Sequence, residues 1–278
     1  KKSEVRYLLI NAGNANAGTG QRGIEDARSC CQYLSEKTAL SAHAVLPFST
    51  GVIGEYLPLE KLQTGIDSAL GCLDEHGWTA AAGAIMTTDT KAKLVNHQFT
   101  LNGKTCNITG IAKGSGMIHP DMATMLAFIA TDAGVSPDGL QQALAHAVDD
   151  SFNCITVDGD TSTNDACVVV ATGQGEVEIT DDAMELEVLT AKLTLVCKQL
   201  AEMIIRDGEG ATKVARIRVT GGRNRDECKA IGYTVALSPL VKTALFGQDP
   251  NWGRILAAVG RAPINEFDLS KVDIFLDD

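Results

Sequence analysis

Lys113-Gly114-Ser115-Gly116-Met117-Ile118-His119-Pro120-Asp121-Met122-Ala123-Thr124-Met125-Leu126 sets two glycines, a lysine, a proline and the small-residue step Ala123-Thr124 directly before an apolar run over residues 125–130. Glycine at 114 and 116 permits positive φ, and Pro120 biases His119 toward an extended backbone, so the spacing predicts a shaped turn rather than a helix. Thr124 then stands where a loop enters the core. A threonine hydroxyl is a weak nucleophile until a base removes its proton, and one available base is the residue's own α-amine once the preceding peptide bond has been cut. Such an amine titrates near about 7.7–8, close enough to neutrality to act. The plainer alternative is a core threonine bonded to a nearby carbonyl, and on this stretch alone it is the commoner outcome.

Working outward, 278 residues with 45% hydrophobic side chains suffice for one large core or two smaller ones. A formal charge of -11, without any run of five or more basic residues, argues against a nucleic-acid partner, whose phosphates call for a basic face. The eight cysteines are scattered, with neither a C-x-x-C nor a histidine pair at metal-ligand spacing, which reads as reduced thiols in a cytoplasmic protein. Cys30 and Cys31 read as half-buried helix residues. No apolar run approaches the roughly 18 residues of a membrane span, and no signal peptide opens the chain.

Upstream of the central stretch, residues 5–10 read as a buried strand that empties into an Asn- and Gly-rich loop, 11–20, lacking both phosphate-loop spacings. Residues 23–38 and 59–76 have helical periodicity; 44–47 and 80–86 read as short strands. The first of these strands leads to Thr50-Gly51, a step that can offer a hydroxyl and a backbone N–H on one side, as an oxyanion hole requires. The second ends in Thr87-Thr88-Asp89-Thr90. Residues 94–101 and 105–111 form two strands turning at Asn102-Gly103, a hairpin signal. These polar strand ends are expected to converge.

Downstream, 136–150 is a helix with Ser136 as N-cap and Pro137 at its first position. Residues 152–157, 166–172 and 176–179 read as strands. The acidic turn at 158–165 lacks the spacing of a calcium loop and is expected to cap backbone amides instead. A long helix, 183–206, stops before Asp207-Gly208-Glu209-Gly210, where Glu209 is either a solvated charge or a group shown to a ligand. From 213 onward the composition suggests a strand at 215–220, helices at 225–237, 240–244 and 254–260, and a strand at 272–276, after which further sequence is expected.

Seven blocks together, residues 11–20 (NAGNANAGTG), 49–54 (STGVIG), 86–90 (MTTDT), 113–126 (KGSGMIHPDMATML), 156–165 (TVDGDTSTND), 206–213 (RDGEGATK) and 247–254 (GQDPNWGR), make the chain resemble the ornithine acetyltransferase family, the self-cleaving glutamate N-acetyltransferases of arginine biosynthesis. They fall in family order along nearly the whole chain, and this overturns the plainer view of Thr124. The resemblance implies an α/β fold, an αββα sandwich resembling N-terminal nucleophile hydrolases in residues 1–212, with a second, smaller α/β domain in 213–278. It implies cleavage between Ala123 and Thr124 into α and β chains, Thr124 as the acetylated nucleophile, Thr50 and Gly51 as oxyanion stabilisers, and Thr87, Lys113, Thr124 and Glu209 as substrate-binding residues. The substrates implied are N2-acetyl-L-ornithine and L-glutamate, with acetyl-CoA often accepted as well, no metal and no bound cofactor, and αβ units assembled into homo-oligomers. Asp121 stands where the family pattern commonly has Asn, and the family pattern begins before Lys1 and runs on past residue 276. A hydrolase on the same fold would use the same nucleophile but release acid to water, and an amino-acid-binding module would leave Ala123–Thr124 intact.

Overall fold

A computed structural model of the chain describes residues 5–119, 125–180, 182–265 and 267–277. Ala123 and Thr124, like Asp121, lie outside the described residues.

Strand β1 (Tyr7–Asn14) pairs in parallel with β2 (Val45–Val52), Ala12 opposite Thr50 and Gly13 opposite Gly51. Helix α1 (Gly20–Thr38) joins them, and α2 (Leu59–Leu70) and α3 (Trp78–Ala84) follow. Strands β3 (Lys93–Leu101) and β4 (Lys104–Lys113) form the expected hairpin, with Asn102 and Gly103 both at positive φ, 52° and 76°, as a two-residue type I′ turn demands. Strand β5 (Leu126–Thr131) runs antiparallel to β4, and β7 (Ala166–Ala171) lies parallel to β5, giving the sheet order β3-β4-β5-β7. A short parallel ribbon joins β6 (Gly134–Val135) to β8 (Glu178–Ile179). Helix α4 (Pro137–Asp149) is capped by Ser136, whose hydroxyl accepts from the Gly139 amide, and α5 (Ala183–Arg206) is capped by Asp182.

The alternation of side chains along β4 and β5 generates the layers. On one face Ile108, Ala112, Ala127 and Ile129 pack against Leu189, Leu193, Val196 and Leu200 of α5 and Ala143 and Ala147 of α4. On the other face Ile111, Leu126 and Phe128 meet Leu8, Ile10 and Phe48 of the β1–β2 sheet, with the rings of Phe48 and Phe128 edge to face at 5.0 Å. The far side of β1–β2, through Tyr7, Leu9 and Val45, packs on Cys31 and Leu34 of α1 and Ile66 of α2. Helices, sheet, sheet and helices therefore stack as αββα, the architecture that the family resemblance implied. Strand β5 is buried on both faces, which is why residues 125–130 read as an unbroken apolar run.

Five local readings need correction. Residues 80–86 are not a strand: Trp78–Ala84 is helical, because four of its seven residues are alanine, the strongest helix former. Residues 152–157 form a 3-10 turn at Phe152–Cys154 and then irregular chain, anchored by Phe152 at 1% exposure. Residues 215–220 and 272–276 alternate like strands but pair with no neighbour among the described residues and are mostly exposed; alternation specifies a face, not a partner. The expected helix at 59–76 ends early, at Leu70. Helices α6 (Arg225–Ala236), α7 (Pro239–Phe246) and α8 (Trp252–Gly260) share a small core of Val235, Val241, Ala258 and Val259. They reach α4 through Lys229 Nζ on Asp149 Oδ1 at 2.7 Å and through Arg225 on Asp150.

Candidate active site

The site forms where β2, β4 and the turn after α3 end together. Lys113 is the last residue of β4 and is buried at 5% exposure. Its ammonium donates to Thr50 Oγ1 at 3.0 Å, from β2, and to Thr87 Oγ1 at 2.7 Å. Three of the residues singled out from sequence are thereby joined by one cation. Because Thr50 Oγ1 accepts from Lys113, its own proton is left to donate, and a cation on the acceptor side makes it a stronger donor. Burial pushes the Lys113 ammonium below the usual lysine range, against the carboxylates of Asp89, Glu209 and Asp165, while Lys93 adds to the downward push.

Gly51, beside Thr50, has φ +132°, and a Cβ there would lie 2.3 Å from the Gly13 carbonyl carbon. Only glycine lets β1 and β2 approach this closely at the Thr50 step. In the central stretch Gly114 takes positive φ as expected, but Gly116 does not. Instead Gly116 leaves room for Glu209: a Cβ at 116 would sit 2.7–2.9 Å from the Glu209 carboxylate atoms. The left-handed residue is Met117, at φ 58°, held by Asp158, which accepts from the Met117 and Ile118 amides at 2.6 and 3.0 Å. The acidic turn at 158–165 is thus spent on backbone caps, as its composition suggested. The Glu209 amide donates to the Ser115 carbonyl at 2.8 Å, which stitches the loop after α5 to the stretch before Thr124.

Beneath these residues runs a chain of buried charges that sequence reasoning missed. Lys93, 1% exposed, donates to Asp89 Oδ1 at 2.6 Å and to Asp207 Oδ2 at 2.7 Å. Asp89 also accepts from the Gly114 amide at 2.7 Å and the Thr87 amide at 3.2 Å, and its Oδ2 lies 4.0 Å from Lys113 Nζ. Asp207 takes the amide and hydroxyl of Thr90. Two cations and two carboxylates alternate, so the row is neutral, and each carboxylate is further satisfied by backbone donors. Burial alone would push Asp207 up, but Lys93 and Thr90 outweigh it and hold the carboxyl at about 2; Asp89 is lowered in the same way, by Gly114 and Lys93 against burial. Asp89 and Asp207 lie within two of the quoted blocks, but a lysine at 93 inside a strand gives no sign of being buried.

The Asn-rich loop at 11–20 is knitted to itself and to its surroundings: Asn11 donates to the Asn14 carbonyl at 2.9 Å, Ser49 to Asn11 Oδ1 at 2.7 Å, and Asn164 to the Ala15 carbonyl at 2.6 Å. Cys30 and Cys31 are buried on α1, and burial pushes both thiols up. Among the described residues no group of histidines, cysteines and carboxylates is arranged to hold a metal, and no helix is long and apolar enough to cross a membrane.

Comparison with known proteins adds a second line. The sequence model of the ArgJ family matches residues 1–278. The arginine biosynthesis bifunctional protein ArgJ of Pseudomonas syringae pv. tomato is 55% identical over 274 residues, covering 98% of this chain and 68% of that protein. Its namesake in Methylococcus capsulatus is 54% identical, covering 98% and 67%. Among solved structures, the ornithine acetyltransferase of Mycobacterium tuberculosis, complexed with ornithine, is 30% identical over the matched part, with a TM-score of 0.35, covering 41% of this chain and 61% of that one. The chain spans about two thirds of the length of the curated relatives it matches and a smaller share of that solved chain.

Proposed function

Because this chain belongs to the ArgJ family, we propose that it is an acyltransferase of arginine biosynthesis that moves acetyl from N2-acetyl-L-ornithine to L-glutamate through an ester on Thr124, after the Ala123–Thr124 bond has been cut. The observation that carries the reading is the Lys113 ammonium bridging the Thr50 and Thr87 hydroxyls at the head of the segment that leads to Thr124.

In the first half-reaction the Thr124 hydroxyl oxygen attacks the acetyl carbonyl carbon and its proton passes to the Thr124 α-amine. Negative charge grows on the carbonyl oxygen, where the Thr50 hydroxyl and the Gly51 amide stabilise it. The C–N bond breaks, the amine returns the proton to the departing ornithine nitrogen, and the acetyl group remains as an ester on Thr124. Glutamate's amine then attacks the ester carbonyl and the steps run in reverse, restoring the free hydroxyl. Two steps through one site let a single oxyanion arrangement serve both amino acids.

Lys113 has three N–H groups, two of them directed to Thr50 and Thr87, which leaves one for a substrate carboxylate. Glu209, seated against Gly116, is the carboxylate offered to the substrate ammonium. Glu209→Gln is expected to raise the KM for the ornithine substrate roughly tenfold with little change in kcat, the loss of one charge-assisted contact; steady-state kinetics showing an unchanged KM would remove Glu209 from the binding role. The division into a main domain, 1–212, and a smaller one, 213–278, belongs to the same proposal, as do assembly of αβ units, a cytoplasmic location and acetyl-CoA as a second donor.

Product analysis tests the reaction class. Incubation with N-acetylornithine and glutamate is expected to give N-acetylglutamate and ornithine, whereas free acetate formed equally with and without glutamate would make the protein a hydrolase.

A further inference from the structure

Asp165 is half-buried immediately before β7 and takes no part in the steps above. Its Oδ1 accepts from the Met125 amide at 3.0 Å, and the next residue, Ala166, donates its own amide to the Met125 carbonyl at 3.1 Å. Met125 is the residue directly after Thr124, and its amide belongs to the peptide that links the two. Both backbone polar groups of Met125 are therefore gripped by consecutive residues at the entry to β7, one of them through a carboxylate. From this geometry we infer that ionised Asp165 is a positioning residue for the Thr124 nucleophile, holding the peptide on its C-terminal side in both self-cleavage and acetyl transfer. The inference rests on Thr124 being the nucleophile.

The charge state matters because a carboxylate accepts from an amide about twice as strongly as a neutral group does. Burial pushes the Asp165 carboxyl up to about 7, with the Met125 amide, the Ser162 hydroxyl and the Lys113 ammonium pulling it back down. Lys113, from β4, is the cation that faces it, and Asp89 and Glu209 act on that same ammonium from the turn after α3 and from the loop after α5. The folded pKa lies above the ordinary carboxylate value, so a stabilising contribution present at acid pH is lost as pH rises through about 7. The fold thus gives up stability near neutrality to keep a negative charge at this position.

Asp165→Asn keeps an acceptor for the Met125 amide and removes the charge. In the intact, self-cleaved enzyme the wild-type acidic limb of log kcat against pH should approach a slope of about two, one ionisation from the Thr124 amine and one from Asp165, and the variant's a slope of about one. At about pH 8 kcat should fall roughly tenfold with KM unchanged, while the melting temperature rises above that of the wild type. A variant that melts as high as the wild type yet stays uncut supports the inference equally, because the same peptide is held in both reactions. A kcat within about twofold of wild type, with the acidic limb still approaching about two, would overturn it. A wild type that forms no acetyl-Thr124 would overturn the functional reading and this inference with it, whereas acetyl-Thr124 in the wild type beside an unaffected Asp165→Asn overturns this inference alone.

Discussion

Lys93→Met is expected to lower the free energy of unfolding by about 3–5 kcal/mol, the cost of leaving buried carboxylates without their cation. Lys93 is 1% exposed and sits between Asp89 and Asp207 at 2.6 and 2.7 Å. With methionine there, Asp89 keeps backbone donors and the distant Lys113, but Asp207 loses the cation that most opposes its burial. Urea denaturation near neutral pH measures the loss, and a change under about 1 kcal/mol would mean that water or a shifted side chain replaces the ammonium. The pH dependence carries a second mark. A carboxyl depressed to about 2 stabilises the fold at every pH above the ordinary carboxylate range and surrenders that stability as pH falls toward 2. In Lys93→Met the acid transition should therefore begin at higher pH. Because Asp207 also holds Thr90 and Asp89 holds Thr87 and Gly114, loosening this row would spread the site's three hydroxyl and amine groups apart.

Lys113→Met is expected to act on rate rather than on stability, although the two lysines belong to one row of charges. It removes the donor that polarises Thr50 and orders Thr87, and kcat/KM should fall by about 10²–10³, the range seen when an oxyanion-stabilising donor is lost. Stability should change little, because burial already disfavours the Lys113 cation and Asp89 retains Lys93 and two amides. Steady-state kinetics beside a melting curve separates the two lysines. If Lys113→Met keeps wild-type kcat/KM, the ammonium has no part in charge stabilisation.

How much of this could be read from the chain differs from element to element, for physical reasons. Asn102-Gly103 and the Ser136-Pro137 cap were legible because their chemistry is local: positive φ at two consecutive residues, and a hydroxyl facing a free helix amide. Thr50, Thr87 and Lys113 could be named from their blocks, yet nothing in the sequence says that a single ammonium spans them, since they come from three separate elements. The strand readings at 215–220 and 272–276 failed because a strand is completed by its neighbour, and alternation is silent about neighbours. Residues 80–86 were misread through an apolar run whose alanines favour a helix. Lys93 was invisible altogether, because Asp89, four residues before it, makes its burial tolerable only together with Asp207 from a distant turn.

The central claim is that Thr124 becomes an N-terminal nucleophile and carries the acetyl group. Intact mass spectrometry of the purified protein under denaturing conditions tests it directly. Two chains that part between Ala123 and Thr124 are expected, the one beginning at Thr124 gaining one acetyl group on addition of N-acetylornithine and losing it when glutamate follows. An active protein that remains a single uncut chain, or an acetyl group carried on any other residue, would contradict it.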